Sequence, residues 1–346
     1  MFQLLFIILA LFSSSLWAVD TVSDNNSWTL SLQFENDLFG DTDQNYTNGI
    51  KLSLVSSDLT KFRDTDKLLP WVDWWANLLF VNDDVDNDQI QRNIAFSIGQ
   101  KIFTPQDIDE KQLISDDRPY AGWLYFGTAF HTKTAERLDT LELQLGLVGP
   151  YSLAEEAQNF VHDLRDIATA KGWDNQLENE PAFAVIYEQK HRYRPDNFYD
   201  RWGYDVIGHV GGAVGTVYTY ANAGAELRIG WNIPADFGTS LIRPGGDTNA
   251  PIDNSDPRLS NKQDFSVHAF AAVTGRAVLR DIFLDGNTFS NSHDVDKRYW
   301  VGDFVIGASA IYEGIKFSYA QVFRTREFAN QSDSHNFGSI SISFTF

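Results

Sequence analysis

Apolar and polar residues alternate one by one along much of this chain, and this period of two limits the possible folds more than any other feature. From residue 339 to 346, serines and a threonine alternate with isoleucines and phenylalanines. The same pattern recurs at 28–35, 140–147, 223–231 and 315–320. Because successive side chains of a strand point to opposite faces, each segment predicts a strand with one apolar face and one polar face.

Twelve segments of the chain fit such strands, although 122–133 is apolar on both faces and 203–215 is rich in glycine. They lie near 28–35, 48–56, 93–100, 122–133, 137–148, 182–190, 203–215, 217–232, 265–275, 299–312, 314–324 and 337–346. The even count and the length of about ten residues predict an all-β fold, a transmembrane antiparallel up-and-down β-barrel of about 12 strands. A soluble β-sandwich also alternates, but Phe346 at the tip of the last strand resembles the end of bacterial outer-membrane proteins.

The N-terminus predicts export. Leu4–Phe12 is apolar throughout and is followed by three serines and the small residue Ala18. We interpret residues 1–18 as a signal peptide and residues 19–346 as one barrel domain. The alternative is a buried strand or an anchor helix at the N-terminus. No later stretch of 18 apolar residues exists, which excludes a helical membrane protein.

Charge and composition exclude several classes of function. The 47 acidic and 27 basic residues give a net charge of −20. This acidity argues against a nucleic-acid partner, because phosphate binding needs basic surface. Cysteine is absent, so the chain has no disulfide, thiolate metal site or cysteine nucleophile.

Strand parity assigns the connections to the two sides of the membrane. With the N-terminus in the periplasm, the odd connections, near 36–47, 101–121, 149–181, 216, 276–298 and 325–336, face outside. The even connections near 57–92 and 233–264 are long for periplasmic turns, which are normally short. The tryptophans and leucines of 57–92 are compatible with an amphipathic interfacial helix.

The first outer connection is rich in oxygen donors. Between residues 35 and 49 it carries four acidic side chains with several amides and hydroxyls, the ligand type that calcium prefers. Asn36 and Asp37 stand at the end of a strand, where side chains are held firmly, so a cation site there is one interpretation of this segment. The alternative is a solvated turn-forming loop.

The next two outer connections supply candidate catalytic residues. Arg118 is predicted either to bind an anionic ligand or to form a salt bridge at the rim. In the third connection, Ser152 and Glu155 form a capping-box pattern that predicts a helix. His162 falls on its polar stripe, with the apolar stripe from 153 to 167 expected to anchor the helix. A histidine there could act as a general base near neutral pH, or be an ordinary exposed residue.

Several blocks together resemble the outer-membrane lipid A deacylases of the LpxR type. The resemblance runs from about residue 28 to 346 and is densest over 34–49, 116–125 and 146–180. The blocks are Asn36-Asp37, Tyr46-Thr47-Asn48-Gly49, Asp117-Arg118-Pro119-Tyr120-Ala121-Gly122-Trp123, Gly149-Pro150, the helix around His162, and Gly172-Trp173-Asp174-Asn175-Gln176-Leu177.

The resemblance implies a calcium-dependent enzyme of the bacterial outer membrane that hydrolyses an acyloxyacyl ester on the 3′ side of lipid A. It implies calcium (Ca²⁺) at Asn36 and Asp37, a rim threonine at Thr47, and His162 as the base that takes a proton from water. Arg118 is our third catalytic candidate. The partner is lipid A or lipopolysaccharide, and we expect a monomer.

The sequence departs from the family in two places, and two other functions stay open. Ala168 and Thr169 stand where the family commonly has a calcium-holding glutamate, and Lys111 is a lone candidate for its basic stretch. The alternatives are a calcium-dependent outer-membrane phospholipase, which needs a serine nucleophile, and a non-catalytic structural or porin-like barrel.

Overall fold

The fold is an antiparallel β-barrel, seen in a computed structural model that describes residues 27–37, 45–59, 90–165, 168–195, 201–239, 241–253, 255–260 and 265–346. These residues form twelve strands, and each pairs with its neighbours along the chain. The strands are β1 (Thr29–Asn36), β2 (Asn45–Val55), β3 (Gln91–Thr104), β4 (Ala121–Lys133), β5 (Arg137–Val148), β6 (Glu180–Tyr193), β7 (Trp202–Gly215), β8 (Tyr218–Trp231), β9 (Ser266–Asp281), β10 (Trp300–Tyr312), β11 (Ile315–Arg324) and β12 (His335–Thr345). All twelve predicted segments are therefore confirmed, and the largest difference is that β9 extends six residues beyond its predicted end.

The first and last strands close the barrel. β1 pairs with β12 from Thr29 opposite Thr345 to Asn36 opposite Gly338. Trp28 and Phe346 extend this pairing, since each donates its backbone N–H to the carbonyl of the other at 2.7 and 3.0 Å. Closure leaves no unpaired strand edge, which is the condition for strands to cross a membrane.

Burial is inverted relative to a water-soluble protein. On β1 the polar residues Thr29, Ser31, Gln33 and Glu35 are buried in the lumen, whereas the apolar residues between them are only half-buried. Large apolar side chains are exposed on the outer wall, for example on β3, β4 and β5. The alternation therefore separates a polar lumen from an apolar surface, as in a transmembrane barrel and not as in a soluble β-sandwich.

The long connection between β8 and β9 folds back into the lumen. Asp247 pairs with Lys51 of β2 at 2.7 Å, and the Nδ2 of Asn249 donates to Ser343 of β12 at 2.7 Å. The backbone N–H of Ile242 donates to Glu35 of β1 at 2.7 Å. The unusual length of 233–264 thus reflects a plug, the name used below for the described residues 232–239, 241–253 and 255–260.

Buried charges lock this plug to the wall. The carboxylate of Asp236 accepts hydrogen bonds from Arg228 of β8 at 2.5 Å, Lys316 of β11 at 2.7 Å and Arg258 of the plug itself at 2.9 Å. A cavity of about 80 Å³ lies in the lumen above it, lined by Arg243, Arg276 and other polar side chains. A wide aqueous pore is incompatible with this filling of the lumen.

Helices are short and lie outside the strands. The longest is α1 (Ala154–Arg165), which confirms the helix predicted in the third outer connection. Two four-residue helices are formed by Pro257–Ser260 and Ile282–Asp285. Within the described ranges, no helix has the length and apolar character needed to cross a membrane. The interfacial helix suggested for 57–92 falls mainly on residues 60–89, outside the described part of the chain.

Candidate functional site

Asn36 and Thr47 meet on the outer wall of the barrel, at the end of β1 and β2. Asn36 continues the outward-facing series of β1, two residues after Phe34, and its Nδ2 donates to the backbone carbonyl of Thr47 at 3.0 Å. The pairing of β2 with β3 shifts register between Tyr46 and Asn48, so that Thr47 forms a bulge. A bulge redirects a side chain, and here the Thr47 hydroxyl lies 2.7 Å from that of Thr104.

Asp37 directly follows Asn36 and is fully buried. A carboxylate beside an amide is a hard oxygen donor set of the kind that calcium takes, but calcium needs six to eight oxygens. Among the described residues no group of three or more histidine, cysteine, aspartate or glutamate side chains is placed to hold a metal. The two other aspartates of this loop, Asp41 and Asp43, lie outside the described residues. The donors therefore fit calcium in kind, and the remaining ligands must come from elsewhere.

Helix α1 lies against the outside of the barrel wall. On β4, Trp123 stacks on Tyr125 inside the lumen with ring centroids 4.4 Å apart, so Gly122 faces outward. A Cβ on Gly122 would overlap Ser152 and Ala154, which shows how closely the start of α1 approaches this strand.

Side chains of β3 fix the same contact. The outward-facing Gln100 donates its Nε2 to the backbone carbonyl of Ser152 at 2.7 Å. Next along the outer wall, Ile102 is buried in one cluster with Tyr120, Ala154 and Trp173. The region between α1 and the wall, called the cleft below, thus borders β3 and β4 and is next to the strand that carries Thr47.

The buried face of α1 differs from the predicted one. Ala154, Gln158 and His162, spaced four apart, are buried, and His162 is only 2% exposed. The expected apolar anchor is wrong for Leu153 and Phe160, which are 53% and 60% exposed, whereas Ala157 of the same stripe packs against the buried cluster. The rule that a helix buries its apolar stripe assumes that its other side meets water. This helix instead lies on the outer wall of a membrane barrel.

The capping box is also wrong. A 3-10 turn, Pro150–Ser152, precedes Leu153, and α1 begins at Ala154. The hydroxyl of Ser152 makes no hydrogen bond within the described residues, because the side chain is pressed against Gly122. The start of α1 is therefore set by packing on the wall.

The ring of His162 is oriented by the backbone. Its Nδ1 lies 2.7 Å from the carbonyl oxygen of Ala168. A carbonyl can only accept, so Nδ1 carries a proton in this arrangement, and in the neutral ring the lone pair is then on Nε2. Ala168, one of the two residues that stand where the resemblance implies a glutamate, thus contributes a backbone carbonyl to the histidine.

Gln158 is a polar residue of the cleft that the sequence interpretation missed. Its Oε1 accepts from the Nε1 of Trp173 at 2.8 Å, and its buried Nε2 has no hydrogen-bond partner among the described residues. It lies one helical turn before His162, and residues four apart are neighbours on a helix. The spacing of four residues between Gln158 and His162 is the sequence feature that could have identified Gln158.

Arg118 lies on the other side of the wall. Its guanidinium stacks over the lumenal ring of Phe103 at 5.0 Å and lies 3.6 Å from the carboxylate of Glu327. Burial raises the pKa of the Glu327 carboxyl, but the guanidinium groups of Arg324 and Arg118 outweigh it and hold that pKa below its usual value. Phe103 and Thr104 are adjacent on β3 and point to opposite faces of the wall. Arg118 contacts Phe103 on the lumenal face, whereas the hydroxyl of Thr104 contacts Thr47 on the outer face. The barrel wall therefore separates Arg118 from Asn36 and Thr47.

One solved structure agrees with this architecture, and two others are similar only at TM-scores below 0.5. The solved structure of LpxR from Salmonella typhimurium superposes with a TM-score of 0.71 at 18% identity, covering 92% of this chain and 100% of that one. The beta domain of the Bordetella autotransporter BrkA gives a TM-score of 0.41 at 9% identity, covering 93% and 99% of the two chains. The translocator domain of the autotransporter NalP from Neisseria meningitidis gives 0.37 at 7% identity, covering 99% and 94%.

Sequence comparison identifies the family. A search against curated proteins gave no significant match. A family model described as "Outer membrane protein LpxR" matches residues 4–346. This is nearly the whole chain, and it includes every block on which the resemblance was based. Together with the closed twelve-stranded barrel, this match means that the chain belongs to the LpxR family of bacterial outer-membrane proteins.

Proposed function

We propose that this protein is a lipid A deacylase that hydrolyses an acyloxyacyl ester on the 3′ side of lipid A, with His162 as the general base. The observation that carries the proposal is the burial of His162 on the same side of α1 as Ala154, which packs on the outer face of the barrel wall. A site on that face is next to the bilayer, where a lipid substrate resides. The lumen, in contrast, is filled by the plug.

His162 has the orientation that a general base needs. With its Nδ1 proton donated to Ala168, Nε2 is the atom that accepts a proton from a water molecule as the water oxygen attacks the ester carbonyl. The imidazolium then returns the proton to the departing alkoxide. The fixed carbonyl partner holds the ring in one tautomer throughout, so no rotation of the ring is required.

Asn36 and Asp37 are the proposed calcium ligands, and Thr47 is the proposed substrate-facing hydroxyl beside them. When bound, calcium would supply positive charge to stabilise the developing oxyanion. The contact between Thr47 and Thr104 supports the assignment, because it links these residues to β3, on which α1 also packs. For Arg118 the stacking on Phe103 supports a positioning role, in which it steadies the segment that carries Thr104.

The test is the replacement of His162. His162→Ala should lower the rate of lipid A deacylation by about 10²–10⁴-fold, the usual contribution of a general base. The loss is measured by mass spectrometry of lipid A from cells with and without the protein. Asp163→Ala is the matched control, because Asp163 is the exposed neighbour on the same helix. A heat-dependent shift on a denaturing gel shows that each variant still forms a closed barrel.

Two results would contradict the proposal. Wild-type deacylation by His162→Ala would leave the histidine as a buried structural residue. Release of fatty acid from phospholipid but not from lipopolysaccharide would instead favour a phospholipase.

A further inference from the structure

The exposed side of α1 is divided into two strips of opposite character. Leu153 and Phe160, seven residues apart, form an apolar strip, and both are more than half exposed. Glu156 and Asp163, also seven apart, form an exposed acidic strip. Glu156 and Asp163 both belong to α1, where seven residues are close to two turns, so they lie on one line along the axis. Leu153 is the residue before the helix and has a left-handed backbone conformation, and it is grouped with Phe160 because both side chains are exposed.

The apolar strip continues the lipid-facing surface of the barrel. Leu147 of β5 is exposed on the outer wall, as are Leu145 and Phe126 beside it. Leu147 pairs with Leu124, which lies two residues from the contact between Gly122 and α1. Two residues of strand span about 7 Å. The wall that faces lipid thus reaches almost to the helix.

The exposed aromatic Tyr151 lies between the two surfaces along the chain. It belongs to the turn between β5 and α1, and it is two-thirds exposed. Aromatic side chains with a polar tip are enriched where the hydrocarbon of a membrane meets its headgroups. Exposed apolar and aromatic side chains therefore recur along the chain from Leu147 through Tyr151 and Leu153 to Phe160.

We propose that the apolar strip of α1, formed by Leu153 and Phe160, contacts the acyl chains of the outer leaflet. The acidic strip then points to water and headgroups, as in other interfacial amphipathic helices. Anchored in this way, α1 holds the cleft that contains His162 open at the level of the bilayer. A lipid reaches the cleft sideways without leaving the membrane. This last consequence, for the substrate, rests on the proposed function.

The absence of cysteine from the chain makes the contact directly measurable. Single-cysteine variants carry a polarity-sensitive fluorophore in the full-length protein, reconstituted in phosphatidylcholine vesicles with or without brominated acyl chains. Phe160→Cys tests the apolar strip, and Asp163→Cys, three residues away, is its matched control. Phe126→Cys is the reference for lipid, and Asp333→Cys, in the exposed connection before β12, is the reference for water.

The inference predicts a clear ranking. The label at 160 should be quenched by brominated lipid nearly as strongly as the label at 126, whereas the labels at 163 and 333 should respond mainly to a water-soluble quencher. Equal behaviour of 160 and 163 would overturn the inference. So would protection of 160 from both quenchers together with cross-linking to a second copy of the chain. In a His162→Ala background the ranking should be unchanged, so the result is independent of catalysis.

Discussion

Adding a single methyl group at Gly122 should lower the rate of catalysis while the barrel still folds. In Gly122→Ala the new Cβ would overlap the Oγ of Ser152 and the Cβ of Ala154. Ser152 can rotate, but the Cβ of Ala154 has no torsion that would move it, so the backbone of α1 must shift. Restoring ordinary contact near 3.5–4.0 Å requires a displacement of about 1 Å or more. His162, two turns along the same helix, would move with it.

The expected loss follows from this displacement. A misplacement of about 1 Å in a catalytic group costs about 10²-fold in rate, so Gly122→Ala should lower lipid A deacylation by roughly that factor. The pairing of β4 with β3 and β5 does not involve the Cβ, so the heat-dependent gel shift should persist. Gly275→Ala is the control, because a Cβ there meets no atom within 4 Å. Full activity of Gly122→Ala would refute the placement of the catalytic cleft between α1 and the wall.

Two further predictions concern the metal and acid pH. Asp37→Asn should abolish calcium-stimulated deacylation and a chelator should reproduce the loss, whereas Asp333→Asn should change neither; full activity in excess chelator would exclude calcium chemistry. The pKa of Glu327 is lowered in the folded protein, so its stabilising ion pairs with Arg118 and Arg324 are present above the usual glutamate pKa and lost as the pH falls through the lowered value. The temperature of the gel shift should therefore drop at acid pH in the wild type and less so in Glu327→Gln; equal drops would contradict this role.

The twelve strands could be predicted because one face of each strand meets lipid and the other face meets the lumen. Lipid on one side and a polar lumen on the other impose a period of two on most strands, and the segment 122–133, which is apolar on both faces, is an exception. The last strand, which closes the barrel by pairing with β1, could also be predicted, since Ser339–Phe346 alternates to its last residue. Element boundaries near loops, such as the end of β9 at Asp281, were missed because the strand continues beyond the membrane-facing pattern.

The plug and the orientation of α1 could not be predicted, for different reasons. The partners of the plug, such as Lys51 and Lys316, lie far away in sequence, and no local pattern connects them with Asp247 or Asp236. For α1, periodicity identified the helix but not the face that packs, since an apolar stripe has two possible neighbours in a membrane protein. To predict that the wall separates Arg118 from Thr47, one must know which face of β3 carries Phe103. The sequence motif around Arg118 does not contain that information.

The plug in the lumen and the proposed site under α1 lie on opposite sides of the barrel wall. A change in the plug should therefore leave the site unaffected. Asp236→Asn leaves Arg228, Arg258 and Lys316 facing a neutral amide inside the lumen. Removal of one partner from a buried ion pair typically costs about 3–5 kcal/mol, so the temperature of the gel shift should fall and ion conductance across planar bilayers should rise as the plug loosens. Asp253→Asn, at an exposed position of the same plug, should change neither property. Deacylation of lipid A by Asp236→Asn should stay at the wild-type rate below the new transition, because the cleft under α1 lies on the opposite side of the wall. A loss of deacylation as large as that of Gly122→Ala in a barrel that is still closed would mean that the lumen takes part in the reaction, and the placement of the site on the outer wall would be wrong.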